Sequence, residues 1–142
     1  MSSRLPPHPN GSSDLAATNQ ALCREMSALF MLLMTELINA VSRTAGRRLA
    51  KEFEQQLNLH AAQHAWSHLT GLAELTELRR RVPDVDAKVL FSVYVSYSQY
   101  AQLLAGRILG AQLLRSTLVG LADRLPPDLA EFNVRHRIIP LP

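Results

Sequence analysis

Three histidines, His60, His64 and His68, stand four residues apart in the segment LHAAQHAWSHL (59–69). That spacing puts them on one side of a helix. Two imidazoles so placed can converge on one zinc ion at about 2.0–2.1 Å. The helical zinc motif of hydrolases also carries a glutamate as its base, His-Glu-x-x-His. Here Ala61, Ala62 and Gln63 fill the interval, so hydrolytic zinc chemistry has no base. His68 lies about 12 Å along the axis from His60 and cannot easily join the same ion. Leu57, Ala61 and Leu72 share the face. Histidines at an interface or core edge, each holding one hydrogen bond, are the commoner explanation. A metal- or haem-binding sensor on His60 and His64 therefore ranks third among three readings, and no cofactor is expected.

Other reactive constellations are missing. A ferritin-like di-iron site needs Glu-x-x-His pairs, and none of the five histidines has a glutamate three residues before it. Cys23 sits in an apolar helical pattern that suits packing better than nucleophilic attack. No Gly-x-Ser-x-Gly elbow and no Gly-x-Gly-x-x-Gly phosphate loop occurs. No catalytic residue is assigned, and the chain reads as a non-enzyme.

Basic residues form the next pattern. Arg43, Arg47 and Lys51 make a stripe at i, i+4, i+8 with Arg48 beside it; Arg79, Arg80 and Arg81 form a run; Arg135 and Arg137 lie near the end. Such groups can contact phosphates. Glu52 and Glu54 interrupt the first stripe, and Glu74 and Glu77 precede the second. The formal net charge is only +3. A nucleic-acid-associated subunit is the second reading.

The favoured reading comes from apolar surface. Tyr94, Tyr97 and Tyr100 recur at three-residue spacing among Ser92, Ser96 and Ser98. Tyrosine beside small residues suits an interface, where its ring is buried and its hydroxyl stays bonded. FMLLM, from Phe30 to Met34, covers every side of a helix with apolar residues. Charged residues are only 19% of the chain and hydrophobic residues 47%, so some apolar surface is expected to face a partner. These features predict a non-enzymatic interaction or oligomerisation module, a homodimer or the subunit of a complex. Its interface would include Tyr94, Tyr97, Tyr100, Phe30 and Met34.

The elements that must position these residues are helices. Apolar residues recur at helical spacing from Leu15 to Val41 and from Leu49 to Leu72, and the one run with a weak period-two alternation is NVRHRII near the end. The predicted fold is an all-α bundle of about four main helices, with a short C-terminal helix at PPDLAEF and an extended tail. Residues 1–13, rich in proline and serine, are expected to be a disordered leader. One domain spans 14–133, and 134–142 is the tail. Pro83 breaks the helix pattern, and Asp84 or Asp86 can cap the next one.

An internal repeat supports two related halves, about 14–80 and 84–125. AGRRLAKEF from Ala45 and AGRILGAQL from Ala105 share Ala, Gly, Arg and Leu at an offset of 105 − 45 = 60 residues. Gly46 with Ala50, and Gly106 with Gly110, are four apart, so each pair could notch a helix face where another helix crosses. Alternatively each glycine ends a helix.

The charge-free run from Val89 to Gly106 and the segment 28–34 read as buried helix rather than membrane spans, which need roughly 20 predominantly apolar residues. The first residues lack the apolar core of a signal peptide. One cysteine excludes an intramolecular disulfide. A cytoplasmic setting is expected, with no membrane partner.

Overall fold

The computed structural model describes residues 7–72, 74–139 and 141. Among them every element is helical and there is no strand: α1 (Pro7–Ala45), α2 (Arg47–Gln63), α3 (Trp66–Thr70), a 3-10 turn (Leu75–Arg79), α4 (Ala87–Leu109), α5 (Ala111–Arg124) and α6 (Pro127–His136). Four helices, α1, α2, α4 and α5, run 14 residues or more.

The core forms where α1 meets α4. In α1, Cys23, Met26, Leu29, Phe30, Leu33, Met34, Leu37 and Val41 are buried, at the three- and four-residue steps of one helix face. The matching face of α4 is Ala87, Leu90, Val93, Tyr94, Tyr97, Ser98, Ala101 and Ala105. Polar contacts set the register. The Asn19 side chain donates to Val85 O at 2.8 Å and accepts from Ala87 N–H at 2.8 Å. Further along, the Ser27 and Tyr94 hydroxyls lie 2.7 Å apart, hydrogen-bonded within the core. Sequence position rises together in both helices, so α1 and α4 run parallel. The break before α4 is built from local chemistry: Pro83 ends the pattern, and Asp86 caps α4 by accepting from Lys88 N–H at 2.8 Å.

Each of these helices is followed by one glycine and then a second helix. Gly46 has φ 95° and ψ 166°; Gly110 has φ 87° and ψ 160°. Essentially only glycine adopts this region. The helix before each glycine ends on a bond from its N–H, to Ser42 O and Gly106 O respectively, and the next helix starts on its carbonyl. The offset between the two junctions is 110 − 46 = 64 residues, not the 60 expected. At 64 the buried residues of α1 and α4 named above also coincide pair by pair, from Cys23 and Ala87 to Val41 and Ala105. The two registers differ by four residues, about one helical turn. Such a shift keeps the same face inward, and hydrophobic pattern alone hardly separates them.

This geometry revises the glycine expectations. A Cβ built on Gly46 or Gly110 would meet nothing within 4 Å, so no helix crosses closely there. Both are needed for their dihedrals. Ala50 is buried in α2. Gly106 lies inside α4, where a Cβ would come within 3.2 Å of Leu114 Cδ2 of α5. Of the glycines in the proposed notches, it is the one whose Cβ would meet another helix within 4 Å.

The ends of the chain also differ from expectation. α1 starts at Pro7, so residues 7–13 of the expected leader are helical, while residues 1–6 lie outside the described residues. Pro7 and Pro9 fall in the first turn, where a backbone N–H has no helical acceptor to lose. At the other end α6 continues through Asn133–His136, where an extended tail or strand was expected. Arg137 reverses the chain at φ 52°. Buried Asn133 then donates to Ile139 O at 3.0 Å and accepts from Ile139 N–H at 2.9 Å. Ile138 and Ile139 are sealed in the core. Those two hydrogen bonds and that burial fold the tail back; Pro140 and Pro142 lie outside the described residues.

Candidate functional site

The tyrosines expected at an interface are mostly inside. Tyr94 and Tyr97 are 1% and 7% exposed, and Phe30 and Met34 are fully buried. The parallel packing of α1 on α4 turns these faces toward each other, so they are this chain's own core. The Phe30 ring stacks on Tyr94 at 4.3 Å and meets Tyr97 edge-on at 5.0 Å. Burial raises the pKa of both phenols above the usual tyrosine range, and the Ser27 bond opposes it only in part at Tyr94. They stay protonated and serve as hydrogen-bonded core groups; Tyr97 donates to Leu57 O of α2 at 3.3 Å. Only Tyr100 reaches the surface.

There the histidines join the same network. His60 stacks on Tyr100 at 3.5 Å and on His64 at 3.9 Å. Trp66 of α3 meets His60 and His64 and stacks on Tyr97 at 5.0 Å. The rings thus run unbroken from the surface at His64 to Ser27 in the core. His64 Nδ1 lies 3.0 Å from His60 O. His68 sits on α3, beyond the left-handed Ala65, and does not continue the ladder. Among the described residues no group of three His, Cys, Asp or Glu side chains is placed to hold a metal ion. Behind the network a cavity bounded in part by Phe30, Asn58, Trp66, Ser67 and Tyr97 encloses about 20 Å³. That is room for one water and no substrate.

The network has a pH consequence. Burial, and then the neighbouring His64, lower the pKa of His60 below the usual imidazole value. The folded form holds a proton less readily than the unfolded chain, whose value is about 6.5. Stability present above that pH is therefore lost as pH falls through it toward the folded value. Between about pH 7.5 and 5.5, Tm should fall more steeply for the wild type than for His60→Phe, which keeps the ring and removes the titration. Parallel Tm profiles would show that His60 does not couple to folding.

The basic residues divide between surfaces. Arg43, Arg47 and Lys51 are exposed around the Gly46 junction. Because α1 and α4 run parallel, exposed Arg107 and Arg115 beside Gly110 lie at the same end of the bundle. None of these five makes an ion pair among the described residues; Arg48 pairs with Glu52 at 3.6 Å. Arg79, Arg80 and Arg81 lie at the opposite end, where Arg81 is tied to Gly71 O and Glu77.

The surface that sequence reasoning missed is the outer face of α4. Its exposed residues between Lys88 and Arg107 are Val89, Ser92, Ser96, Gln99 and Leu103. None is charged, over four turns or about 21 Å. A surface helix normally carries its charges on this side. Val89 and Leu103 are 38% and 56% exposed. A groove on one flank is lined by His64, Trp66, Leu69 and Val93, and one on the other by Leu22, Met26, Phe91 and Phe132 with Arg135 and His136; Lys88 borders both. The signal was present as the charge-free run from Val89 to Gly106. Reading that run as wholly buried hid its outer stripe.

The chain matches no family model, no curated protein and no solved structure. Among the described residues no helix is long and apolar enough to cross a membrane.

Proposed function

We propose that this protein is a non-enzymatic helical interaction module that assembles through the outer face of α4. The observation that carries the reading is the stripe of Val89, Ser92, Ser96, Gln99 and Leu103, exposed and without a charge, between two grooves of mixed apolar and basic lining. Small serines allow a second helix to approach closely, and Trp66, Leu69, Phe91 and Phe132 in the grooves offer it apolar contact. The reading keeps the function expected from the sequence and moves its surface from the buried tyrosines to the opposite side of the same helix. We also favour two related helix–glycine–helix halves joined near Pro83, and a cytoplasmic setting, with which the single buried Cys23 is compatible.

Mass in solution by light scattering after size exclusion tests this, comparing wild type with Leu103→Glu. The wild type should elute as an assembly, with itself or with a co-purified chain, and Leu103→Glu should reduce it to a monomer. Leu103 is more than half exposed in the single chain, so the Leu103→Glu monomer should stay folded and lose only the part of Tm that association contributes, a difference that vanishes on dilution. A wild-type monomer, or an assembly indifferent to Leu103→Glu, removes the reading.

The basic end offers a second reading, a contact with nucleic-acid phosphates by Arg43, Arg47, Lys51, Arg107 and Arg115, none of which is ion-paired among the described residues. Binding to a nucleic acid that weakens steeply with salt, and less steeply after Arg43→Ala, would mark it.

A further inference from the structure

We infer that the partner of the basic end is a nucleic-acid duplex, straddled so that each half of the chain meets the phosphates of one strand. The inference rests on the nucleic-acid reading of that end and on the two related helix–glycine–helix halves. It adds the class of nucleic acid and the way it is held.

Symmetry is the first argument. Phe30 and Tyr94 stand 94 − 30 = 64 residues apart, the interval between Gly46 and Gly110, and their rings stack on each other at 4.3 Å. Parallel helices that touch through equivalent residues are related by a two-fold axis lying between them, along their length. From each glycine the chain returns beside this central pair: Tyr97 donates to Leu57 O of α2, and Arg124 of α5 pairs with Glu36 of α1 at 2.7 Å. The axis therefore leaves the bundle at the basic end, between Gly46 and Gly110, with the two junctions at one height.

The cations follow the same axis. Arg107 and Arg115 stand 64 residues after Arg43 and Lys51 (107 − 43 = 115 − 51 = 64), and all four are exposed. None makes an ion pair among the described residues. Each is three or five residues from its glycine, hence within about 7.5 Å of the tip of the bundle along the helix axis. The acids of this end do not repeat: Glu52 and Glu54 correspond to Ser116 and Leu118. Core packing asks for none of this, because the four cations face solvent. Leu49 and Leu113 correspond as well, at 40% and 39% exposed, and can lie against sugars between the phosphates.

A duplex has the matching symmetry. Its two strands are related by two-fold axes perpendicular to its length, which is why two-fold proteins sit on two-fold sites. With the axes aligned, Arg43 and Lys51 meet phosphates of one strand, and Arg107 and Arg115 meet the equivalent phosphates of the other. A single strand has no such axis, and proteins that hold one stack its bases on aromatic rings. No aromatic residue occurs in 40–52 or 103–117, the two stretches that build this end. Phosphate contacts carry no base sequence, so binding is independent of sequence.

Fluorescence anisotropy of the full-length chain with labelled DNA tests this, at low salt and with rising salt. A short duplex should bind roughly tenfold or more tighter than either of its single strands, whatever its sequence. Four or five neutralised phosphates predict a slope of about −4 for log K against log salt. Arg43→Ala with Lys51→Ala, and separately Arg107→Ala with Arg115→Ala, should each weaken binding roughly tenfold or more, by equal amounts, and each flatten the slope by about 2. Arg79→Ala with Arg80→Ala, at the opposite end, should leave binding unchanged. All six residues are exposed, so circular dichroism should show the same helix content throughout. If a single strand binds as tightly as the duplex and the losses stay at the basic end, the duplex is overturned and the nucleic-acid reading stands. If one pair costs binding and its equivalent does not, the two-fold arrangement is overturned. If the Arg79 and Arg80 pair costs as much as the others, the basic end is not the site. No binding to DNA at low salt, with or without binding to vesicles containing phosphatidylserine, overturns both the inference and the reading it rests on.

Discussion

Phe30→Ala is expected to cost about 3–5 kcal/mol, the largest loss from any single side chain in this fold. The ring is 1% exposed and lies where three elements converge. It stacks on Tyr94, meets the edge of Tyr97, and through Tyr97 touches Trp66 and the carbonyl of Leu57. Removing it leaves a cavity among rings that cannot easily collapse, because each is held by a partner on another helix. Their hydroxyls raise the cost of adjustment, since Tyr94 must keep its bond to Ser27 or leave a buried polar group unsatisfied. For a domain whose total stability is of order 5–15 kcal/mol, this loss takes much of the margin. Urea unfolding measures it: the midpoint should drop sharply with the slope unchanged. A loss below about 1.5 kcal/mol would mean that Phe30 is not packed between α1 and α4 as described, because burial of an aromatic at this depth contributes more than that.

Gly46→Ala and Gly110→Ala should each cost about 1–3 kcal/mol, for a different reason. No atom lies within 4 Å of a Cβ at either position. The penalty is conformational: φ near +90° with ψ near 160° is reached without strain only by glycine. The two sites share no partner, so the double variant should lose about the sum. Gly106→Ala is the informative contrast. Gly106 sits inside α4 without positive φ, and a methyl group would only press on the flexible end of Leu114. Helix propensity gains up to about 1 kcal/mol from the same change. Near-neutral stability is expected there. The three unfolding curves together decide which glycine corresponds to Gly46: equal losses at Gly46 and Gly110 with none at Gly106 support the 64-residue register, and a loss at Gly106 with none at Gly110 returns it to 60.

Sequence alone determined the helical class, the break at Pro83, an acidic cap at Asp84 or Asp86, of which the structure uses Asp86, and the proline start of α6. Those features depend on local periodicity and on backbone chemistry within a few residues, which the sequence states directly. It also showed that the metal motif lacked a base. The tertiary structure decided what faces what. Tyr94 and Tyr97 carry the composition of an interface, but parallel docking of α1 on α4 makes that face the core. The stripe from Val89 to Leu103 reads as part of an apolar run, and only the packed neighbours reveal which residues of α4 are left outside. Arg107 joins Arg43 and Lys51, while Arg79 to Arg81 do not, because two parallel helices bring distant glycine junctions to one end. Helical periodicity fixes an angle around an axis, but a turn of four residues leaves that angle almost unchanged. Register, partner face and the end at which charges gather are therefore set by contacts between helices, which no local pattern encodes.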